Sequence, residues 1–77
     1  MNSERQQRKD MEDLAHRFGC GLEMNHTRGG HVRAIFRFNT KQAALVMAKG
    51  YGGDWRGRTN NLTRARRQLR ELTGRVE

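Results

Sequence analysis

Residues 20–38 read CGLEMNHTRGGHVRAIFRF, and the fold depends on how this stretch turns back on itself. Leu22 and Met24 share one parity and Val32, Ala34, Phe36 and Phe38 share one parity of a second run, the alternation expected of strands with one buried face. Between the runs lies Thr27-Arg28-Gly29-Gly30-His31. A two-residue Gly29-Gly30 turn would set Met24 against Ile35 and Leu22 against Arg37, dividing the apolar set between two faces. A three-residue loop, Arg28 to Gly30, sets Leu22 against Phe36 and Met24 against Ala34, and supplies glycine where such loops need a positive φ. The second register is expected. It leaves His31, Arg33, Ile35 and Arg37 on the opposite face, beside Glu23 and Asn25.

Upstream, Met11, Leu14, Ala15 and Phe18 recur at i, i+3, i+4 and i+7, one face of a helix, and Gly19 sits where a left-handed residue would stop it. Up to Phe18, Arg5, Arg8, Lys9 and Arg17 cancel Glu4, Asp10, Glu12 and Asp13, so this helix reads as a neutral scaffold. Downstream, Asn39 to Gln42 is a polar break. In Ala43 to Ala48 the alanines favour helix, while Leu45-Val46-Met47 suits a buried third strand; we read strand. Gly50-Tyr51-Gly52-Gly53 is a turn, after which Thr59, Asn60 or Asn61 can cap a helix with an apolar stripe of Leu62, Ala65, Leu69, Leu72 and Val76. The expected class is α+β: a helix, a three-stranded antiparallel sheet and a helix, with both helices on one sheet face. Phe18, Leu22, Met24, Phe36, Phe38, Leu62, Leu69 and Leu72 should form the core.

At 77 residues and 34% hydrophobic, the chain should be a single small domain spanning 1–77, burying roughly 60% of its unfolded surface. That argues against a large substrate pocket. The 16 Lys and Arg outweigh 8 Asp and Glu for a net charge of +8, and 13 of the 16 are Arg, the side chain suited to bidentate phosphate or carboxylate recognition. An acidic partner follows. The lone Cys20 permits no internal disulfide, and no leader or long apolar run is seen, so a cytoplasmic protein of a bacterial or phage-infected cell with no membrane role is expected.

From Arg56 to Arg70 the chain holds six arginines (56, 58, 64, 66, 67 and 70) and no acid. Arg66, Arg67 and Arg70 lie together beside the apolar stripe. Like charges at i, i+4 destabilise a helix by about 0.2–0.5 kcal/mol, a repulsion that an anionic partner relieves. The alternative is a merely solvated basic face. Sequence-independent phosphate binding is the expected mode, because nothing spells out base-edge readout. Trp55, between Gly-rich sequence and Arg56 and Arg58, either stacks on a base or caps the small core. Gly52 to Thr59 almost spells a phosphate-binding P-loop, but Arg58 replaces its lysine and the chain has no room for a parallel sheet. Cys20, His16, His26 and His31 match no common zinc spacing. No metal and no cofactor are expected.

His31 follows Gly29-Gly30 and shares a face with Arg33 and Arg37. A lone histidine is usually a surface residue, yet an imidazole here could serve as base or hydrogen-bond donor at a phosphate. The run Leu14-Ala15-His16-Arg17-Phe18-Gly19, a strand, then Gly29-Gly30-His31 leading to Phe36-Arg37-Phe38, resembles the HicA family of mRNA-interferase toxins. The resemblance implies a fold like the double-stranded-RNA-binding domain and gives His31 the place of the family's essential histidine. Asp54-Trp55-Arg56, Asn60 and Arg64 to Arg70 look more like small phage and prophage proteins of the same build. The functional expectation is a small RNA- or DNA-binding protein acting mainly on phosphates through Arg28, Arg33, Arg37, Trp55, Arg56, Arg58, Arg66, Arg67 and Arg70. RNA cleavage, if present, would use His31 without a metal. The rival expectation is a phage-type interaction protein that docks a basic surface on an acidic host or antitoxin protein, as inhibitor or adaptor.

Overall fold

The computed structural model describes residues 3–50 and 55–75. In chain order the elements are helix α1 (Ser3–Arg17), strands β1 (Gly21–Thr27), β2 (His31–Phe38) and β3 (Lys41–Ala48), and helix α2 (Trp55–Thr73). The strands form one antiparallel sheet in the order β1-β2-β3. This is the expected α+β architecture, an α-β-β-β-α topology compatible with a double-stranded-RNA-binding-domain-like fold.

The hairpin adopts the register that keeps the apolar set together, with Leu22 opposite Phe36 and Met24 opposite Ala34. Gly29 and Gly30 both have positive φ, +77° and +73°, a conformation that costs an L-residue about 1–2 kcal/mol and glycine nothing. Residues 43–48 are strand. Leu45 and Met47 enter the inner face opposite Ala34 and Val32, so cross-strand pairing outweighs the helical preference of the alanines.

α1 stops where Gly19 turns left-handed: Gly19 N–H donates to His16 O at 3.1 Å and Cys20 N–H to Ala15 O at 2.8 Å, the paired bonds of a Schellman stop. α2 differs from expectation at its start. It begins at Trp55, so Thr59, Asn60 and Asn61 are interior helical residues rather than caps, and Asn61 is buried. The reason is tertiary. Arg58, in the first turn, reaches across to Asp10 of α1, its Nε donating to Oδ2 at 2.9 Å and Nη2 to Oδ1 at 3.2 Å. That charge-assisted fork holds a helical turn ahead of the polar trio against α1. Residues 51–53 of the expected turn at 50–53, and the stripe residue Val76, lie outside the described residues.

Met11, Leu14, Ala15 and Phe18 of α1, Val32, Ala34 and Phe36 of β2, Leu45 and Met47 of β3, and Ala65, Leu69 and Leu72 of α2 make the core. Each fully buried Phe, Leu or Met contributes roughly 1.5–3 kcal/mol. Leu22, Met24, Phe38 and Leu62, expected in the core, are only half-buried and pack against it. Leu22 and Met24 lie on the edge strand β1 and Phe38 ends β2; β3 is also an edge, but α2 packs chiefly over it, and Leu45 and Met47 are buried there.

Candidate nucleic-acid interface

Three contacts fix α1 to the sheet and to α2. The buried Gln7 side chain donates from Nε2 to Ala48 O and accepts the Gly50 N–H at Oε1, both at 2.8 Å, which clasps the first turns of α1 to the end of β3. Asp10 meets Arg58 one turn further along, and Arg75 reaches Arg17 O at 3.5 Å at the far end. α1 and α2 therefore run parallel, and both N-termini lie at the end of the sheet that carries the β1–β2 turn. Lys49 N–H donates to Gly30 O at 2.9 Å, tying that turn to the exit of β3.

This hairpin end concentrates positive charge. Each helix N-terminus carries the equivalent of roughly half a positive charge. Around them stand Arg5 and Arg8 of α1, His26, Arg28 and His31 of the hairpin, Lys49, and Arg56 of α2, all exposed. The described acids nearby are engaged. Glu4 meets Lys49 at 3.1 Å, and the Asp10 side chain, 7% exposed, holds Arg58.

From this end the charge runs down the outer side of α2. Arg56, Arg67 and Arg70 are spaced by near-whole turns and exposed, so they share one meridian facing away from the sheet. Arg66 is half-buried on the flank that bears Arg58 and Leu62, and Arg64 folds toward β3, where Nη2 donates to Val46 O at 3.0 Å. Arg58 is 33% exposed and held by Asp10, which makes it first a fastener between helices.

The open face of the sheet lies on the opposite side of the domain from α2's outer meridian. It presents His31, Arg33, Ile35 and Arg37 of β2 flanked by Glu23, Asn25, Ala44 and Val46, with Val46 44% exposed. Arg37 pairs with Glu23 at 3.0 Å, and Asn25 Nδ2 donates to the same carboxylate at 2.8 Å. The Asn25 hydrogen bond first, then Arg37, holds the Glu23 carboxyl below the usual glutamate range. So the residues singled out from sequence fall on three surfaces: Arg28, His31 and Arg56 at the hairpin end, Arg67 and Arg70 on α2, Arg33 and Arg37 on the open sheet face. The Trp55 side chain lies outside the described part of the structure.

Arg5, Arg8, His26 and Lys49 escaped the sequence reading. Summing charge up to Phe18 gives zero, although, Glu4 apart, the cations at 5, 8 and 9 precede the acids at 10, 12 and 13. Charge resolved along the helix would have shown a basic first half.

Among the described residues, no group of three or more His, Cys, Asp or Glu is placed to hold a metal, and no helix is long and apolar enough to cross a membrane. Burial raises the Cys20 thiol pKa, with Arg75 opposing it, away from these surfaces. Compared with protein-family models, curated proteins and solved structures, the chain has no significant match.

Proposed function

We propose that this chain is a nucleic-acid-binding domain that engages RNA or DNA phosphates, without reading sequence, through its hairpin end and the outer side of α2. The observation carrying this reading is the convergence of two helix N-termini with Arg5, Arg8, Arg28, Lys49 and Arg56 at one end, continued by Arg67 and Arg70. Arg56 and Arg67 are eleven residues apart on α2, about 16 Å along its axis, a length over which a polynucleotide presents several phosphates. Guanidinium groups on a rigid helix meet such a row at little ordering cost.

The test is binding of labelled RNA and DNA homopolymers across a salt series. A steep linear fall of log affinity with log salt, on several sequences, is expected. Affinity that ignores salt, or no binding at low salt, overturns the reading.

Cleavage is carried only by the Gly29-Gly30-His31 resemblance to HicA-type interferases. His31 opens β2, exposed at the hairpin tip beside Arg28, where an imidazole can exchange a proton at a phosphodiester. In this reading His31→Ala abolishes RNA cutting or growth toxicity and keeps most RNA affinity.

A second reading is favoured by the open sheet face, where exposed Val46 and half-buried Ile35 sit among Arg33 and Arg37. An apolar centre with a cationic rim suits an acidic protein surface. Co-purification from cells with and without nuclease separates the two: a protein partner retained after nuclease treatment favours docking.

A further inference from the structure

Between the first turns of α1 and the β1–β2 hairpin lies a groove of about 320 Å³. Arg5, Arg8 and Lys49 line it with His26, Gln7 and one acid, Glu4, which is paired with Lys49, and Met24 and Val32 supply its apolar part. Ligand sites of roughly 300–1,000 Å³ accept small molecules, so this one is sized for a single small ligand. Its chemistry is two-part. The rim carries three cations, Arg5, Arg8 and Lys49, to one acid, Glu4, and adjoins the α1 N-terminus, where Arg5 and Arg8 oppose the helix dipole. Among the described residues, neither arginine meets a carboxylate at ion-pair distance. The floor is apolar, and Met24 offers a polarisable thioether that favours contact with an aromatic ring. His26, exposed on β1, supplies a flat imidazole beside it.

We infer that this groove is a subsite for one unpaired nucleoside monophosphate unit, its phosphate held by Arg5, Arg8 and Lys49 and its base laid against Met24 and His26. A bare phosphate would satisfy the rim and leave the floor uncovered; a carboxylate side chain would do the same. A nucleotide satisfies both, because every base has a π-face and carries its phosphate on the adjoining sugar. Lys49 is available to the ligand because its bond to Glu4 is between two exposed groups, a pairing of small net strength in water. The inference rests on the nucleic-acid reading above for its ligand class, while its test needs no polymer.

Isotope-labelled protein is titrated at low salt with 5′-AMP, with adenosine and with inorganic phosphate, following the backbone amides of Met24, His26, Val32 and Lys49. AMP should bind about tenfold tighter than either fragment, with shifts centred on these four amides. The double variant Arg5→Glu/Arg8→Glu, both exposed positions, should lose AMP binding and keep its circular dichroism. His26→Ala should bring AMP down toward phosphate while leaving phosphate affinity unchanged. Equal affinity for AMP and phosphate, shifts confined to α2, or preference for a glutamate-rich peptide overturns the inference. A chain that binds AMP in the groove but no RNA or DNA keeps the subsite and removes the polymer-binding reading; one that binds polymers and not AMP here does the reverse.

Discussion

Asp10 shows how one side chain decides more than its own contacts. It is buried, accepts from Gln6 Nε2 at 2.9 Å and holds both donors of the Arg58 fork, so replacing it by Asn leaves a half-buried guanidinium without its counter-charge. Asp10→Asn should cost about 1–3 kcal/mol in chemical denaturation, more than expected of an exposed ion pair. The Glu23 carboxylate is the contrasting case. It is half-exposed, and its lowered folded-state pKa means that its interactions with Asn25 and Arg37 persist above the ordinary glutamate range and are lost as pH falls through the lowered value. A carboxyl-detected NMR titration should place Glu23 below the ordinary glutamate midpoint, and Asn25→Ala should move it back up, since the Asn25 bond is the larger cause.

The β1–β2 hairpin was legible in the sequence because parity leaves one register that keeps Leu22, Met24, Ala34 and Phe36 on a single face. Its glycines supply a matching test: Gly30→Ala meets no atom within 4 Å, so the substitution should cost only the strain of positive φ, about 1–2 kcal/mol in thermal or denaturant unfolding. The start of α2 was not legible. A contact that holds its first turn is a bond between residues 48 apart in sequence, whereas local capping preference points to Thr59, Asn60 or Asn61. The same distinction applies to function. The arginines of α2 were visible as a run, but their separation into outward Arg56, Arg67 and Arg70, half-buried Arg66 and fastened Arg58 depends on what packs beside the helix. Charge reversal at Arg56, Arg67 and Arg70 should therefore lower nucleic-acid affinity more than tenfold at low salt and reduce the salt slope by about 2–3, with the melting temperature nearly unchanged.

At the scale of the molecule, net charge is less informative than its distribution. A domain of net charge +8 repels itself, most strongly where the cations crowd at the hairpin end, and polyanions that bind there stabilise the folded state. Short polyphosphate should raise the melting temperature more than the same ionic strength of a simple chloride salt; equal shifts from the two would show screening alone. The separation of the surfaces also matters: His31 at the tip touches both the hairpin end and the open sheet face, whereas Arg33 and Arg37 cannot meet a strand that lies along α2's outer side. Finally, the parallel helices put the two ends of the described chain at opposite poles. Residue 3 emerges beside the groove rimmed by Arg5 and Arg8, and residue 75 leaves from the far pole next to Arg17. A bulky fusion ahead of α1 would crowd the cationic pole, while a fluorophore, surface tether or second module joined after α2 would hang clear of it. In assays the position of the label is thus a variable in its own right: C-terminal attachment should preserve ligand access that N-terminal attachment reduces.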